Sequence, residues 1–514
     1  MSSGGGRTDF WRMKQGMKLV DNEGAREIDR IAQEKYGIPG DILMENAGIR
    51  IFDALVGEFH PGPNTPLVFL AGGGNNAGDA LVMARQAFVR GFRKLSIVLV
   101  KKEARGLAAK WLDVVHRLGL EILSFEDEFE SSMERISGAA LIIDGITGTG
   151  LSGPLRGKAA ECVEAVNRLG ISEKIVAVDA PSGIGDDFRT GYPVLSAGLT
   201  LSVFPAKSAL FNPAARLHCG KILPVLIGFP PQAVEAVPGW VLMDREELIK
   251  RLPPFAPDSY KNRRGHTAVY AGSPGTLGAG LLAAEAAGRG GAGLVTLFCD
   301  TAVYTAAASR MRSVMVRPWN GDEPENPEKY QSCVIGPGWG IDGRAGVFKK
   351  LLESSRRGVI DADGLSLLSG TKRALEGEWI LTPHPGECAR LLDCSSREIL
   401  EDPFGAAAEV SRRYNAVVLL KSHVSCLRTP DGRTALIDGM NPLMGTGGSG
   451  DILCGFIGGL LADTGLDPFD AAAAGCFLHQ QAGRAAALED GVFLAEDLLK
   501  SLSRLIGEYR YERS

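Results

Sequence analysis

The chain has 514 residues, 45% hydrophobic and 23% charged, with 66 glycines and a net charge of −5 from 56 basic and 61 acidic side chains. That length calls for two large domains or more, and the slight acidity does not suggest a nucleic-acid binder. Nine cysteines without a Cys-x-x-Cys pair read as small core residues in a reducing compartment. No apolar run reaches a membrane span and residues 1–7 carry no apolar signal region, so a cytoplasmic protein without membrane contact is expected. Ala25, Ile28, Ile31 and Ala32 fall at helical spacing, which predicts a helix over 21–36, ended by Gly37-Ile38-Pro39-Gly40, and a second helix follows over 41–56. Residues 66–70 read as a buried parallel strand. It opens into Ala71-Gly72-Gly73-Gly74-Asn75-Asn76-Ala77-Gly78-Asp79 and then a helix, the layout of a dinucleotide-binding unit. The spacing is not GxGxxG, however, and Asn75, Asn76 and Asp79 add side chains where a pyrophosphate loop would use bare backbone. Strands are predicted over 96–100, 140–143 and 174–178. Asp144 opens Gly145-Ile146-Thr147-Gly148-Thr149-Gly150-Leu151-Ser152-Gly153-Pro154, and Asp179 opens Ala180-Pro181-Ser182-Gly183. A single aspartate at such a place is ordinarily a loop or cap residue. Three neighbouring strands delivering Asn/Asp, Asp and Asp to one sheet edge make a ligand site instead. Asn76, Asp144 and Ser182 offer hard oxygen ligands to a monovalent or divalent cation, and their types do not choose between the two.

These motifs, with Leu43-Met44-Glu45-Asn46-Ala47-Gly48, resemble the N-terminal epimerase domain of the bacterial NAD(P)H-hydrate repair enzymes. The resemblance implies a Rossmann-like domain that interconverts the R and S hydrates of NADH and NADPH. It implies a potassium ion at Asn76, Asp144 and Ser182. It also implies substrate contacts at Asn75, Asn76, Ala77, Gly78, Asp79, Gly148, Thr149, Gly150, Leu151, Ser152, Gly153, Pro154 and Asp179, with Asp179 the proton-transfer residue. The family loop has glycine where this chain has Ala77 and Ala80; two methyl groups there would narrow the pocket or point away from it.

The proline-rich stretch 229–238 marks the domain boundary, giving domains 1–232 and 233–514. Beyond it, predicted strands again deliver glycine and polar residues to one edge. They run into Gly272-Ser273-Pro274-Gly275-Thr276-Leu277-Gly278-Ala279-Gly280, Gly336-Pro337-Gly338-Trp339-Gly340, Asp361-Ala362-Asp363-Gly364-Leu365, Thr382-Pro383-His384-Pro385-Gly386-Glu387 and Lys421-Ser422. This is a second doubly wound α/β unit with mostly parallel strands, and its loop signatures differ from those of the first. The set is completed by Gly445-Thr446-Gly447-Gly448-Ser449-Gly450-Asp451, which leads straight into an apolar helix. Glycines let a ligand approach the backbone, and the free N–H groups of the helix start attract an anion. Asp451 beside such a hole suggests a base acting on a hydroxyl while charge builds on a transferring phosphoryl group. The plainer reading is a tight turn with an Asp cap; the glycine density favours the phosphate site. His384 between two prolines favours ligand contact. Lys421 at a strand end either faces a phosphate or is solvated.

This half resembles the ADP-dependent dehydratase partner of the same repair enzymes, which has a ribokinase-like fold. Ser449 stands where the family usually has threonine, which keeps the hydroxyl. Carried over, Ala279, Gly338, His384 and Asp451 contact the hydrated dinucleotide, and Lys421, Ser422, His423, Val424, Ser425 and Gly450 contact the adenine nucleotide. The resemblance implies magnesium with ADP, release of AMP and phosphate, Asp451 as catalytic base, and a homo-oligomer. Two rivals stand beside it. The second half could be a vitamin-precursor kinase on the shared fold, and the first could be a non-catalytic binding module for RNA or a protein.

Overall fold

The computed structural model describes residues 17–101, 103–148, 150–319 and 327–511. The chain forms two compact units, one over Lys18–Trp240 and the other holding Met17 and the residues from Val241 on, so that β1 and β10 each begin one residue across the division and belong with the unit that holds most of their residues. The first unit carries β1 (Met17–Val20), β2 (Leu67–Ala71), β3 (Leu95–Leu99), β4 (Glu121–Ser124), β5 (Leu141–Gly145), β6 (Ile175–Val178), β7 (Leu199–Val203), β8 (Ala206–Lys207) and β9 (Lys221–Val225). Its sheet has the order β4-β3-β2-β5-β6-β7-β9 with every pair parallel, and β1 pairs separately with β8. Every residue of β2 and β6 is buried. Helices cover both faces of a parallel sheet, so its central strands are continuous apolar runs rather than alternating ones.

The chain winds outward from β2 through β3 to β4. It then returns to the other side of β2 to lay down β5, β6 and β7. The order therefore reverses between β2 and β5, which is where an open α/β sheet leaves a crevice at its carboxyl edge. The turns after β2 and β5 meet there with no room for side chains: a Cβ at Gly72 would lie 1.9 Å from the Ile146 carbonyl oxygen. The helix Asn75–Val89 starts directly after that turn, with Gly74 as its cap. The proline-rich stretch stays with this unit, because the helix Pro231–Ala236 packs Ala233 and Val234 with Val20, Ile28 and Val237.

The second unit carries β10 (Trp240–Leu242), β11 (His266–Tyr270), β12 (Leu294–Asp300), β13 (Met315–Trp319), β14 (Ser332–Ile335), β15 (Arg357–Ile360), β16 (Glu378–Leu381), β17 (Val417–Leu420), β18 (Val424–Arg428) and β19 (Thr434–Asp438). The order is β13-β12-β11-β14-β15-β16-β17-β18-β19-β10. Pairs from β13 to β17 are parallel, β17 to β19 are antiparallel, and β10 returns parallel to β19. Here the reversal falls between β11 and β14. The helix Ser449–Leu461 is buried from Ile452 to Leu461. Gly455 and Gly459 lie one turn apart on it, where added Cβ atoms would stand 2.1 Å from the Ala283 carbonyl oxygen and 2.0 Å from that of Ala287. These glycines let it lie directly on the helix Leu277–Arg289.

Candidate active sites

In the first unit the reversal point opens into a cavity of about 590 Å³. Of the residues that the resemblance implies for substrate contact, Asn75, Asn76, Asp79, Gly148, Gly150, Leu151 and Asp179 line it. Ala77 and Gly78 lie behind the wall, buried. Ala77 and Ala80 are fully buried and belong to the core against β2 and β5, so their methyl groups point away from the cavity. Ser152, Gly153 and Pro154 are outside the cavity lining, and Thr149 lies outside the described residues.

Asn76, Asp144 and Ser182 come together at the base of this wall. Ser182 donates to Asp144 through its amide (2.7 Å to Oδ2) and its hydroxyl (2.5 Å to Oδ1), and the Ile146 amide adds a third bond at 3.2 Å. The Thr147 amide donates to Ser182 Oγ at 2.8 Å, and Asn76 Nδ2 donates to the Thr147 carbonyl at 2.9 Å. Burial raises the pKa of Asp144 to about 6 against these hydrogen bonds, which favour the charged form. Asn76 Oδ1, the Thr147 carbonyl, Ser182 Oγ and one carboxylate make a donor set of hard oxygens with a single negative charge. Hard oxygens of this kind are ligands that monovalent and hard divalent cations both accept.

Asp179 follows β6 with φ at +66°, a left-handed conformation that a non-glycine residue adopts at a cost of about 1–3 kcal/mol. Its Oδ1 accepts from the Val203 amide at 2.9 Å and from Lys207 Nζ at 2.6 Å. Lys207 is 4% exposed. Sequence reasoning passed it over; the signal was one lysine in the otherwise apolar run after β7. Asp79 has its carboxyl pushed well above the usual range by burial, and further by the nearby charges of Asp179 and Asp29, with Lys207 acting the other way.

In the second unit Gly448 caps the helix Ser449–Leu461 with φ at +95°. The first N–H groups of a helix have no partner inside it, so this turn presents free amides. Ser449 Oγ donates to the Met444 carbonyl at 3.0 Å, pinning the turn through the hydroxyl. Asp451 stands in the first turn of the helix. Burial raises its pKa to about 6, with Asp361, Glu387 and Asp363 adding to the rise and Lys421 opposing it. Lys421 Nζ donates to Asp361 Oδ1 at 2.7 Å and lies 3.9 Å from Glu387 Oε2. Burial alone would lower the Lys421 pKa, but these two carboxylates hold it above its ordinary value. It is therefore ion-paired within the site rather than solvated, and a Cβ at Gly450 would lie 3.6 Å from its Nζ.

Gly338 has φ at +54°, and its carbonyl accepts from Ser273 Oγ at 3.0 Å and Thr276 Oγ1 at 2.9 Å. That clasp joins its loop to the turn before Ala279, near the start of the helix Leu277–Arg289. Asp363 Oδ2 accepts from the Gly340 amide at 2.8 Å, tying in a third motif. His384 caps the helix Pro385–Leu392: its Nδ1 accepts from the Gly386 and Glu387 amides, and its side chain is 54% exposed. Ser422 and Ser425 bond each other across the turn into β18, where Val424 and Ser425 are buried. The His423 carbonyl holds the Gly439 amide at 2.8 Å. His479, on the helix Pro468–Asp490, is a second residue that the sequence did not single out. It is buried against the Ser449 backbone and near Lys421, and burial lowers its pKa to about 4.

Residues 40–209 match the family model described as YjeF-related protein N-terminus, and residues 267–504 match that of NAD(P)H-hydrate dehydratase. The bifunctional NAD(P)H-hydrate repair enzyme of Coxiella burnetii is 33% identical, over 95% of this chain and 99% of that protein. The enzyme of the same description from Moorella thermoacetica is 34% identical, over 95% of this chain and 96% of its own length. A solved ADP/ATP-dependent NAD(P)H-hydrate dehydratase from Bacillus subtilis, co-crystallised with ATP and Mg2+, is 26% identical over 52% of this chain and 98% of that one, with a TM-score of 0.48. With both family models matched and relatives above 30% identity aligned over nearly their whole length, the chain belongs to the family of bifunctional NAD(P)H-hydrate repair enzymes.

Proposed function

We propose that this chain repairs hydrated NADH and NADPH in two steps. The first unit interconverts the R and S hydrates. The second dehydrates the S hydrate at the expense of ADP, giving NAD(P)H, AMP and phosphate. The observation that carries the second step is Asp451, a carboxyl with a pKa raised to about 6 in the first turn of a helix whose free amides open on the same space.

Asp451 takes the proton of the ring hydroxyl as that oxygen attacks the terminal phosphoryl group of ADP. The amides of Gly447, Gly448 and Gly450 would bind the charge that builds on the transferring group, while that of Ser449 donates to the Thr446 carbonyl at 3.4 Å; being fixed by the turn they need no reorganisation. Lys421 offsets Asp361 and Glu387, so that a third carboxylate can ionise beside them. The ring nitrogen's lone pair then expels phosphate to leave a carbon–nitrogen double bond, the neighbouring ring carbon loses a proton, and the reduced ring is restored. Ala279, Gly338 and His384 would hold the dinucleotide; Lys421, Ser422, His423, Val424, Ser425 and Gly450 would hold the nucleotide, with magnesium neutralising its phosphates.

In the first unit Asn76, Asp144 and Ser182 would hold a potassium ion, whose fixed charge would steady the loops around the substrate. Asn75, Asn76, Asp79, Gly148, Gly150 and Leu151 would line the hydrate, and Asp179 would transfer a proton. Asp451→Asn tests the assignment of the second step. Dehydration is expected to fall by at least about 100-fold while epimerisation continues; dehydration near the wild-type rate would remove Asp451 from the role of base.

A further inference from the structure

We propose that Asp79 is the acid and Asp179 the base of the epimerisation, and that Lys207 is the positioning residue that divides these roles between them. The inference rests on the reading of the first unit as an epimerase. All three side chains line the same cavity. They reach it from different places: Asp79 from the helix after β2, Asp179 from the end of β6, and Lys207 from β8. Two carboxylates in one small enclosure resist carrying two charges, so the surroundings decide which keeps the proton.

The surroundings differ. Asp179 Oδ1 accepts from Lys207 Nζ (2.6 Å), the Val203 amide (2.9 Å) and Ser202 Oγ (3.4 Å). The side chains of this ion pair are 5% and 10% exposed. Lys207 is fixed in turn, since its Nζ also donates to the Val203 carbonyl at 3.1 Å. The left-handed backbone of Asp179 is held by its own amide, which donates to the Leu201 carbonyl at 2.9 Å. Asp79 has nothing comparable: among the described residues no hydrogen bond reaches its carboxyl. The charged groups facing it are Asp179, Lys207 and Asp29, while Arg26 and Lys101 line the cavity elsewhere. Burial and the two neighbouring carboxylates push the Asp79 carboxyl well up. Asp179 is thus held by an ammonium and two further donors, while the surroundings of Asp79 favour its keeping a proton.

The chemistry follows from the substrate. Hydration places the hydroxyl on a ring carbon next to the ring nitrogen. Asp79 gives its proton to that hydroxyl, and the carbon–oxygen bond breaks as the nitrogen lone pair forms a carbon–nitrogen double bond. Water leaves and the carbon becomes planar. Water then adds to the other face, the double-bond electrons return to nitrogen, and Asp179 takes the proton released by the entering water. The net change in the protein is one proton moved from Asp79 to Asp179, reversed by exchange with solvent, and no oxidant or reductant is needed.

The test follows conversion of pure R hydrate to S by chromatography, without nucleotide, across pH, in the full chain with potassium. Wild-type kcat is expected to fall as pH rises, because Asp79 must be protonated. Asp79→Asn is expected to lower kcat by at least about 100-fold with KM changed far less, and to remove that alkaline limb. Lys207→Met is expected to lower kcat and to move the limb to higher pH, since the ammonium restrains the Asp79 proton affinity; Lys207→Arg is expected to restore much of both. Dehydration of S hydrate in the same samples reports the condition of the rest of the chain. A wild-type kcat that does not fall with rising pH overturns the assignment without any variant. So does Asp79→Asn or Lys207→Met with wild-type kcat. If the wild-type chain converts no R hydrate at any pH, the epimerase reading itself fails.

Discussion

At the scale of single residues, the proposed chemistry depends on carboxyl groups, Asp451 and Asp79, whose proton affinity is set by burial, neighbouring carboxylates and one lysine each. Asp451 must be ionised to accept a proton, and its pKa is raised to about 6. Dehydration is therefore expected to be level above that pH and to lose about tenfold in kcat/KM per pH unit below it. Lys421 opposes the rise, so Lys421→Met should move this acid limb to higher pH; an unmoved limb in a steady-state profile would separate Lys421 from Asp451. His479 makes a different prediction, about stability. Its pKa in the folded chain is lowered to about 4, against about 6.5 in an unfolded one. Above pH 6.5 both states are neutral and the burial has no pH-dependent cost. As pH falls from about 6.5 to about 4 the unfolded chain takes the proton first, and about 3 kcal/mol of stability is lost. Urea denaturation at pH 7 and pH 4.5 should show His479→Leu losing less than the wild type over that interval. The aspartates were legible in the sequence because each stands where an apolar strand or a glycine run ends. Lys207 and His479 were not, because neither stands at a glycine turn or in a recognisable motif and only the folded chain shows what they face.

At the scale of elements, glycine proved the harder residue to read. The run 445–451 was read as a ligand motif leading into an apolar helix, and the structure gives the glycines of the two stretches different duties. Gly448 takes a positive φ, and a Cβ there would lie 2.7 Å from Leu282 Cδ1 and 3.0 Å from Ala495 Cβ. Gly455 and Gly459 serve packing against Ala283 and Ala287 instead. Gly448→Ala should destabilise the second unit by about 1–3 kcal/mol and weaken nucleotide binding, read by thermal melting and calorimetric titration. Gly459→Ala should destabilise comparably by overpacking while leaving nucleotide affinity in the surviving folded fraction close to wild type. Central parallel strands such as β2, β6 and β14 were predictable from continuous apolar runs. The hairpin of β18 and β19 was not: the residues singled out as a nucleotide loop run directly into β18, and a polar nucleotide loop and an antiparallel strand start share the same small polar residues. His384 shows the same ambiguity, since its cap to the helix Pro385–Leu392 is a structural duty that the His-Pro-Gly-Glu spacing encodes as well as any ligand contact.

At the scale of the whole molecule, the order of two α/β units with mostly parallel sheets could be read from motif order alone, because strand, turn and helix recur in both halves. The first unit brings its motifs together at its chain reversal between β2 and β5, and the second spreads its motifs along the strand ends from β11 to β17. Two separate sites should be separable by mutation. Asp179→Ala is expected to stop epimerisation and leave dehydration of S hydrate intact, and Asp451→Asn to do the reverse. Mixed in one vessel, the two variants should together restore both epimers, since the S hydrate made by one is substrate for the other. Failure of the mixture, with each variant retaining its own activity, would mean that the intermediate does not pass through solution. The measurement that bears most directly on the whole account is the recovery of near-ultraviolet absorbance from a mixed R and S hydrate of NADH, with ADP, potassium and magnesium. Full recovery of both epimers, with AMP and free phosphate released, is the predicted result; no recovery, or a stable phosphorylated product, would contradict it.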